Sequence, residues 1–262
     1  MKTTVRIVAF IGFAIMIAPL IAVIVNAFNA NVLLSNWGGF TTHWFTDAVD
    51  DSGVRSAAGQ SVEIAALVTG LSAVMGTLAV SFSAYAPRWL SRFTDSLTVT
   101  RVMVPEVIMA AGLVLLMPKL GFTFGLWTVV LGQTVWAVAF FIAILGARRA
   151  GFDRRLEDAG RDLGATPWRV LRTIVLPDLM PGIIAGALLT FTFSFDDVVT
   201  TVFLSGPTTM TLPTTILARI RRGITPEINA VGVLVMLVTI ILLALATIVS
   251  GQLVPGQKET ER

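Results

Sequence analysis

Six stretches of the chain are apolar for about twenty residues at a time, the length a helix needs to cross roughly 30 Å of hydrocarbon. They run from Ile7 to Phe28, Ile64 to Tyr85, Leu97 to Met117, Leu126 to Ala147, Leu179 to Leu204 and Ile228 to Leu253. In lipid every backbone N–H and C=O must be satisfied within the segment, so the pattern predicts an all-α membrane protein with six transmembrane helices. The third and fifth stretches are interrupted by charges, and the first is too long for the apolar core of a secretory signal and is read as a retained helix. The whole chain, 1–262, is expected to form a single transmembrane domain.

Composition supports this reading. Of 262 residues, 55% are hydrophobic and only 13% charged, and the mean hydropathy is +0.83. The absence of cysteine excludes a thiol nucleophile and cysteine-ligated metal, and with His43 as the one histidine a histidine metal site is not expected. A net charge of +3, without a continuous basic run, gives no nucleic-acid signal. None of the three lysines, Lys2, Lys119 and Lys258, lies in a glycine-rich phosphate loop, so any ATP chemistry must reside in another subunit and no cofactor is expected in this chain.

Basic residues set the orientation, because positive loops stay in the cytoplasm. Fourteen of the 19 fall on alternating sides: Lys2 and Arg6; Arg88, Arg92 and Arg101; Arg148, Arg149, Arg154, Arg155, Arg161, Arg169 and Arg172; and Lys258 and Arg262. Both termini are therefore expected in the cytoplasm, with outside loops over about 29–60 and 205–227. Arg219, Arg221 and Arg222, in the second of these loops, depart from the rule and require another cause. The first outside loop is rich in aromatics from Trp37 to Phe45, which suits either an interfacial belt or a lid on an outward-opening pathway. His43 and Glu63 read as interfacial residues.

Between the fourth and fifth stretches lies a polar cytoplasmic segment, about 148–177. Helix formers run from Arg154 to Leu163, and Ala159, Gly160, Leu163 and Gly164 share a face of small residues around one leucine, open to close approach by a partner. Gly164 can stop this helix and Pro167 can start another, whose apolar stripe is Trp168, Leu171, Ile174 and Val175. A helix-turn-helix is predicted.

An ionised side chain inside a membrane costs about 2.5–3.5 kcal/mol on insertion scales and normally faces a protein interior or a wet path. Glu106, expected in mid-helix after a kinking Pro105, and Asp196 and Asp197 in the fifth stretch meet that description. Neighbouring helical positions point about 100° apart, so only one aspartate can aim straight at a central path. Acids with aromatics at the outer mouth suit a cationic, partly aliphatic substrate. The same acids could instead hydrogen-bond to Ser194, Thr192 or a partner helix.

Asp158-Ala159-Gly160, Gly164, Ile174, Leu176 and Pro177 resemble the EAA signature of type I ABC importer permeases. The spacing agrees: six positions from acid to glycine, then ten, twelve and thirteen to Ile, Leu and Pro. Asp158 stands where Glu is usual, with Glu157 before it, and Gly160 stands where the second Ala is usual. The resemblance implies that Glu157, Asp158, Ala159, Gly160, Leu163, Gly164, Pro167, Ile174, Leu176 and Pro177 form a coupling element docking on a cytoplasmic ATPase. Ser194-Phe195-Asp196-Asp197-Val198-Val199, Gly206-Pro207, Leu212-Pro213 and Gly223 to Ala230 are similar to the PotC-type permeases of spermidine/putrescine importers, over nearly the whole chain.

That resemblance implies a second homologous permease, two copies of an ABC ATPase using ATP and Mg, and an extracytoplasmic solute-binding protein, in the lipid of a prokaryotic cytoplasmic (inner) membrane. It matches Trp44, Glu106, Ser194, Asp196 and Asp197 to a polyamine path. Related permeases carry phosphonates, iron or other solutes on the same framework. A membrane hydrolase is disfavoured by the lack of His-Glu-x-x-His and by two aspartates that are adjacent rather than opposed, and a cation channel would conduct without ATP.

Overall fold

A computed structural model of the chain describes residues 2–82, 96 and 103–251, and the description below concerns these. The elements are helices joined by loops, with one isolated antiparallel bridge, Asn29 to Phe40. Five helices are long and apolar enough to cross a membrane. The chain divides into two compact units, one of residues up to Gly59 with Leu212–Ile240, the other from Gln60 to Thr211 with residues from Ile241 onward.

The first unit contains α1 (Lys2–Ala27), α2 (His43–Asp50), the start of α3 (Ser52–Phe82), α9 (Leu212–Ile220) and the first part of α10 (Pro226–Gly251). Apolar side chains are exposed all round α1, as befits a helix solvated by lipid tails. At its end Ala27 packs with Ala230 and Val233, and Val23, Trp44 and Phe45 close over them. The expected outside loop is more ordered than a loop: α2 and the first turns of α3 fill much of it. The remainder folds around Asn29, whose Oδ1 accepts from the backbone N–H of Asn31 and Gly38 at 3.0 and 2.9 Å. Phe28 stacks on Phe40 at 5.1 Å, and its ring centroid lies 5.0 Å from that of Phe45. Arg219 donates to Asp51 Oδ2 at 2.8 Å and Glu227 Oε1 at 2.9 Å, so one of the three anomalous arginines is placed by a two-carboxylate clamp.

The second unit holds the rest of α3, α4 (Glu106–Leu116), α5 (Leu126–Ala150), α6 (Arg155–Asp162), α7 (Pro167–Phe195) and α8 (Val199–Leu204). Its core has two clusters, one around Ile64, Val68, Val129, Val130 and Leu204, the other around Phe141, Leu145, Val170 and Leu179. α7 runs unbroken from the polar segment at 148–177 into the fifth apolar stretch, through a wider π turn at Leu171–Val175. That turn precedes Pro177, whose ring would press on the Thr173 carbonyl in a regular α-helix.

Two expected spans differ from their sequence reading. Pro105, with ψ 135°, is an extended residue immediately before α4, so Glu106 stands in the first turn of that helix. Residues 97–102 of the expected third span lie outside the described residues. The fifth stretch is two helices: α7 ends at Phe195, Asp196 adopts φ −90°, ψ 0°, and α8 begins after Val198.

Candidate functional site

The break between α7 and α8 is built against one face of α5. Thr128, Gly132 and Gln133 share that face at i, i+4 and i+5. Thr128 Oγ1 donates to the Leu204 carbonyl at 2.8 Å, fixing the far end of α8. At Gly132 an added Cβ would lie 2.2 Å from Leu204 Cδ1 and 3.1 Å from Thr200 Cγ2, so side chains of α8 pack directly on this position. Gln133 is fully buried; its Nε2 donates to Thr201 Oγ1 at 3.1 Å, and its Oε1 accepts from Ser194 Oγ. Thr201 in turn donates to Asp197 Oδ1 through both its hydroxyl, at 3.0 Å, and its backbone N–H, at 2.9 Å. Asp197 thereby satisfies one of the orphan amides of the first turn of α8.

A cleft of about 400 Å³ opens beside this break, lined by Glu106, Trp136, Phe140, Phe193, Asp196, Asp197, Val198 and Val199. Glu106 reaches it from the first turn of α4, where its Oε1 accepts from Thr200 Oγ1 at 3.3 Å. Phe140 and Phe193 meet edge to face at 5.0 Å, and Trp136 lies one turn before Phe140 on α5. Asp196 is half-buried on the cleft wall, whereas Asp197 is 7% exposed and committed to Thr201. Three carboxylates and three aromatic rings thus share one concavity, a chemistry suited to cationic groups on an apolar chain.

The structure brings together four of the five expected path residues: Glu106, Asp196 and Asp197 on the cleft, and Ser194 buried behind it through Gln133. Trp44 belongs to the other unit, where its indole N–H donates to the Asn29 carbonyl at 2.9 Å and its ring packs on the α1–α10 cluster. Sequence reading missed Gln133, Trp136, Phe140 and Phe193. Gln133 was detectable as a lone amide in an apolar stretch, and Trp136 and Phe140 by their i, i+4 spacing, a spacing that core residues also show.

In the polar segment at 148–177, α6 ends as expected. Gly164 takes a left-handed φ of +80°, and Ala165 N–H donates to the Gly160 carbonyl at 3.1 Å, closing the helix in a Schellman turn. Thr166 Oγ1 accepts from Arg169 N–H, and Pro167 opens α7. Glu157 is buried, ion-paired to Arg149 and lying 3.9 Å from Arg161, and the Arg149 guanidinium also sits 4.7 Å over Phe152.

The small-residue face differs from its sequence reading at Gly160. A Cβ there would meet Ile174 Cδ1 at 2.8 Å, so the close approach is made by the chain's own α7. Ile174 and Leu176 are half-buried against the second core cluster. Asp158, Ala159, Gly164, Pro167 and Pro177 are exposed, as are Leu156 at 53%, Leu163 at 89% and Trp168 at 66%.

The family model described as "Binding-protein-dependent transport system inner membrane component" matches residues 69–258. The putrescine transport system permease protein PotI of Escherichia coli (strain K12) is 35% identical over 240 residues, 88% of this chain and 84% of that protein. The spermidine/putrescine transport system permease protein PotC of the same strain is 32% identical over 247 residues, 94% of this chain and 91% of that protein. PotC of Haemophilus influenzae is 32% identical over 246 residues, with coverage of 94% and 93%.

Among solved structures, a bacterial ABC transporter involved in import of the acidic polysaccharide alginate superposes with a TM-score of 0.75 at 14% identity, covering 96% of this chain and 95% of that one. The inward-facing MetNI methionine ABC transporter gives 0.61 at 18% identity, with coverage of 78% and 99%. At these identities the structural likeness shows the fold. A family match over most of the chain, relatives above 30% identity along nearly its full length and five membrane-crossing helices agree: the chain belongs to the binding-protein-dependent transport system inner membrane components, as a multi-pass permease subunit of an ABC importer.

Proposed function

We propose that this chain is one of two permeases in an ATP-driven importer of polyamines, and that Glu106 and Asp196 meet the cationic cargo. The observation that carries the reading is the cleft itself, with carboxylates beside Trp136, Phe140 and Phe193. Ammonium groups are held by charge and by the aromatic faces, and the methylenes between them by apolar contact. Ser194 and Asp197 hold the break in place, and Trp44 contributes from the outer segment. The relatives that carry putrescine or spermidine/putrescine in their names favour this cargo over phosphonate or iron.

The chain itself carries no catalytic role in this reading. ATP and Mg are used by two copies of a partner ATPase, a solute-binding protein delivers cargo from outside, and both termini lie in the cytoplasm. Asp158, Ala159, Leu163, Gly164 and Pro167 present the surface on which the ATPase docks. Glu157, Gly160, Ile174, Leu176 and Pro177 join that surface to α5 and α7. Alternation between outward and inward states follows from ATP and the binding protein favouring different arrangements of the helices.

Uptake of radiolabelled spermidine and putrescine, with and without the gene and with and without energy, tests the cargo. Deletion should abolish energy-dependent uptake and the gene should restore it. Unchanged uptake in cells with no other polyamine importer removes polyamines as the cargo. Asp158→Arg should reduce recovery of the ATPase in a detergent pull-down, and full recovery would remove this loop as the docking surface.

A further inference from the structure

We infer that Gln133 is a positioning residue that sets the spacing of the cleft carboxylates and through it the preference among cations of different charge separation; the cargo part of this inference rests on the polyamine reading above. Gln133, on α5, hydrogen-bonds on both sides of the helix break. It accepts from Ser194, in the last turn of α7, and donates to Thr201, in the first turn of α8. Both bonds are buried, so losing either leaves a polar group without water to replace its partner.

The relay has one consistent direction. A hydroxyl has a single proton, and Thr201 Oγ1 gives its proton to Asp197, so it meets Gln133 as an acceptor. Gln133 must then present NH₂ to Thr201 and C=O to Ser194, which fixes the amide orientation. An acid at the same position would meet Thr201 with an acceptor where a donor is needed.

The consequence for the cleft is geometric. Asp196 sits on the short linker between the two helix ends that Gln133 holds. Glu106 is tied to α8 through Thr200, the residue before Thr201. The distance between the Asp196 and Glu106 carboxylates therefore depends on how α8 is set against α7, and Gln133 makes that setting. A linear diamine or triamine presents charges at separations fixed by its methylene count. A cleft with a defined carboxylate spacing discriminates among them; one with a slack break does not.

The test uses the assembled transporter in membranes. For Gln133→Leu, the ratio of spermidine to putrescine KM should move about tenfold, the effect of losing hydrogen bonds to a charged network, with maximal rate changed far less. Thr201→Val, which keeps shape and removes the hydroxyl, should move the ratio in the same direction, and the double variant should move it little further than Gln133→Leu alone. A uniform fall in maximal rate at an unchanged KM ratio overturns the inference, because that is what a general packing defect produces.

A second readout is independent of cargo. The chain has no cysteine, so Val198→Cys provides one thiol on the cleft wall. The ratio of its modification rates by a cationic and a neutral thiol reagent reports how the carboxylates are disposed around it. Gln133→Leu should change that ratio several-fold, and an unchanged ratio overturns the positioning role. If the wild-type transporter carries neither polyamine, the cargo reading fails while the thiol ratio still decides the role of Gln133.

Discussion

Two groups of carboxylates among the described residues differ in the partners they show. Around the helix break, Glu106 and Asp197 accept from the hydroxyls of Thr200 and Thr201. Elsewhere Asp51 and Glu227 share Arg219, Glu157 pairs with Arg149, and Asp178 lies 3.5 Å from Arg148. A hydroxyl orients a carboxylate through a single hydrogen bond, whereas a guanidinium pairs with its charge and cross-links two elements. The first arrangement suits acids that must meet a mobile cation, the second suits acids that hold a fold together. Mutation should separate them cleanly: loss of function without loss of stability on one side, and the reverse on the other.

The largest effect is expected at Glu157. Removing one partner of a buried ion pair costs about 3–5 kcal/mol, because Arg149 is left charged in a poor dielectric. Glu157→Ala should therefore lower the thermal unfolding midpoint of the purified protein markedly, while the double replacement Arg149→Met with Glu157→Leu should lower it much less. A single variant no less stable than the double one would show that the pair does not hold α6 to α5.

Smaller in free energy but larger in function are the cleft acids. Glu106→Gln and Asp196→Asn should each reduce uptake about tenfold or more, the magnitude of a charged hydrogen bond to a substrate ammonium, with assembly and unfolding midpoint unchanged. Wild-type transport by both variants would make them structural acids and erase the contrast.

The smallest effect lies at the Arg219 clamp. The Val54 N–H, and then Arg219, hold the Asp51 carboxyl below its ordinary value of 3.8. A lowered folded pKa stabilises the fold above the unfolded value, and that contribution disappears as pH falls through the folded one. Because the clamp is partly exposed, the contribution should stay below about 1 kcal/mol. Unfolding curves of wild type and Asp51→Asn should thus differ slightly near neutrality and converge in acid. Divergence in acid would assign the pH response to another group.

Legibility followed the kind of signal. α5 and α10 begin within a few residues of the expected spans because a long apolar run in lipid has few alternatives to a helix. The turn at Gly164 and the start at Pro167 were readable because glycine and proline restrict the backbone locally. The break at Asp196 was not: mean hydropathy across Leu179 to Leu204 stays high, and Ser194, Thr200 and Thr201 look like minor polar interruptions until Gln133 joins Ser194 and Thr201 in one relay. Gly160 misled for the same reason, since smallness announces a close neighbour without saying whose.

The sequence by itself determined that the chain is helical, that it lives in a membrane and that its polar segment at 148–177 is a helix-turn-helix, because these follow from local composition and from backbone groups that lipid cannot solvate. It also nominated the acids, since charge in an apolar run is conspicuous wherever it falls. Only the tertiary structure decided that Glu106 and Asp196 line one cleft, that Thr201 meets Gln133, and that Trp136, Phe140 and Phe193 share the wall. Those outcomes depend on α8 lying against the Gly132 face of α5, a contact between residues some seventy positions apart whose geometry no local pattern encodes.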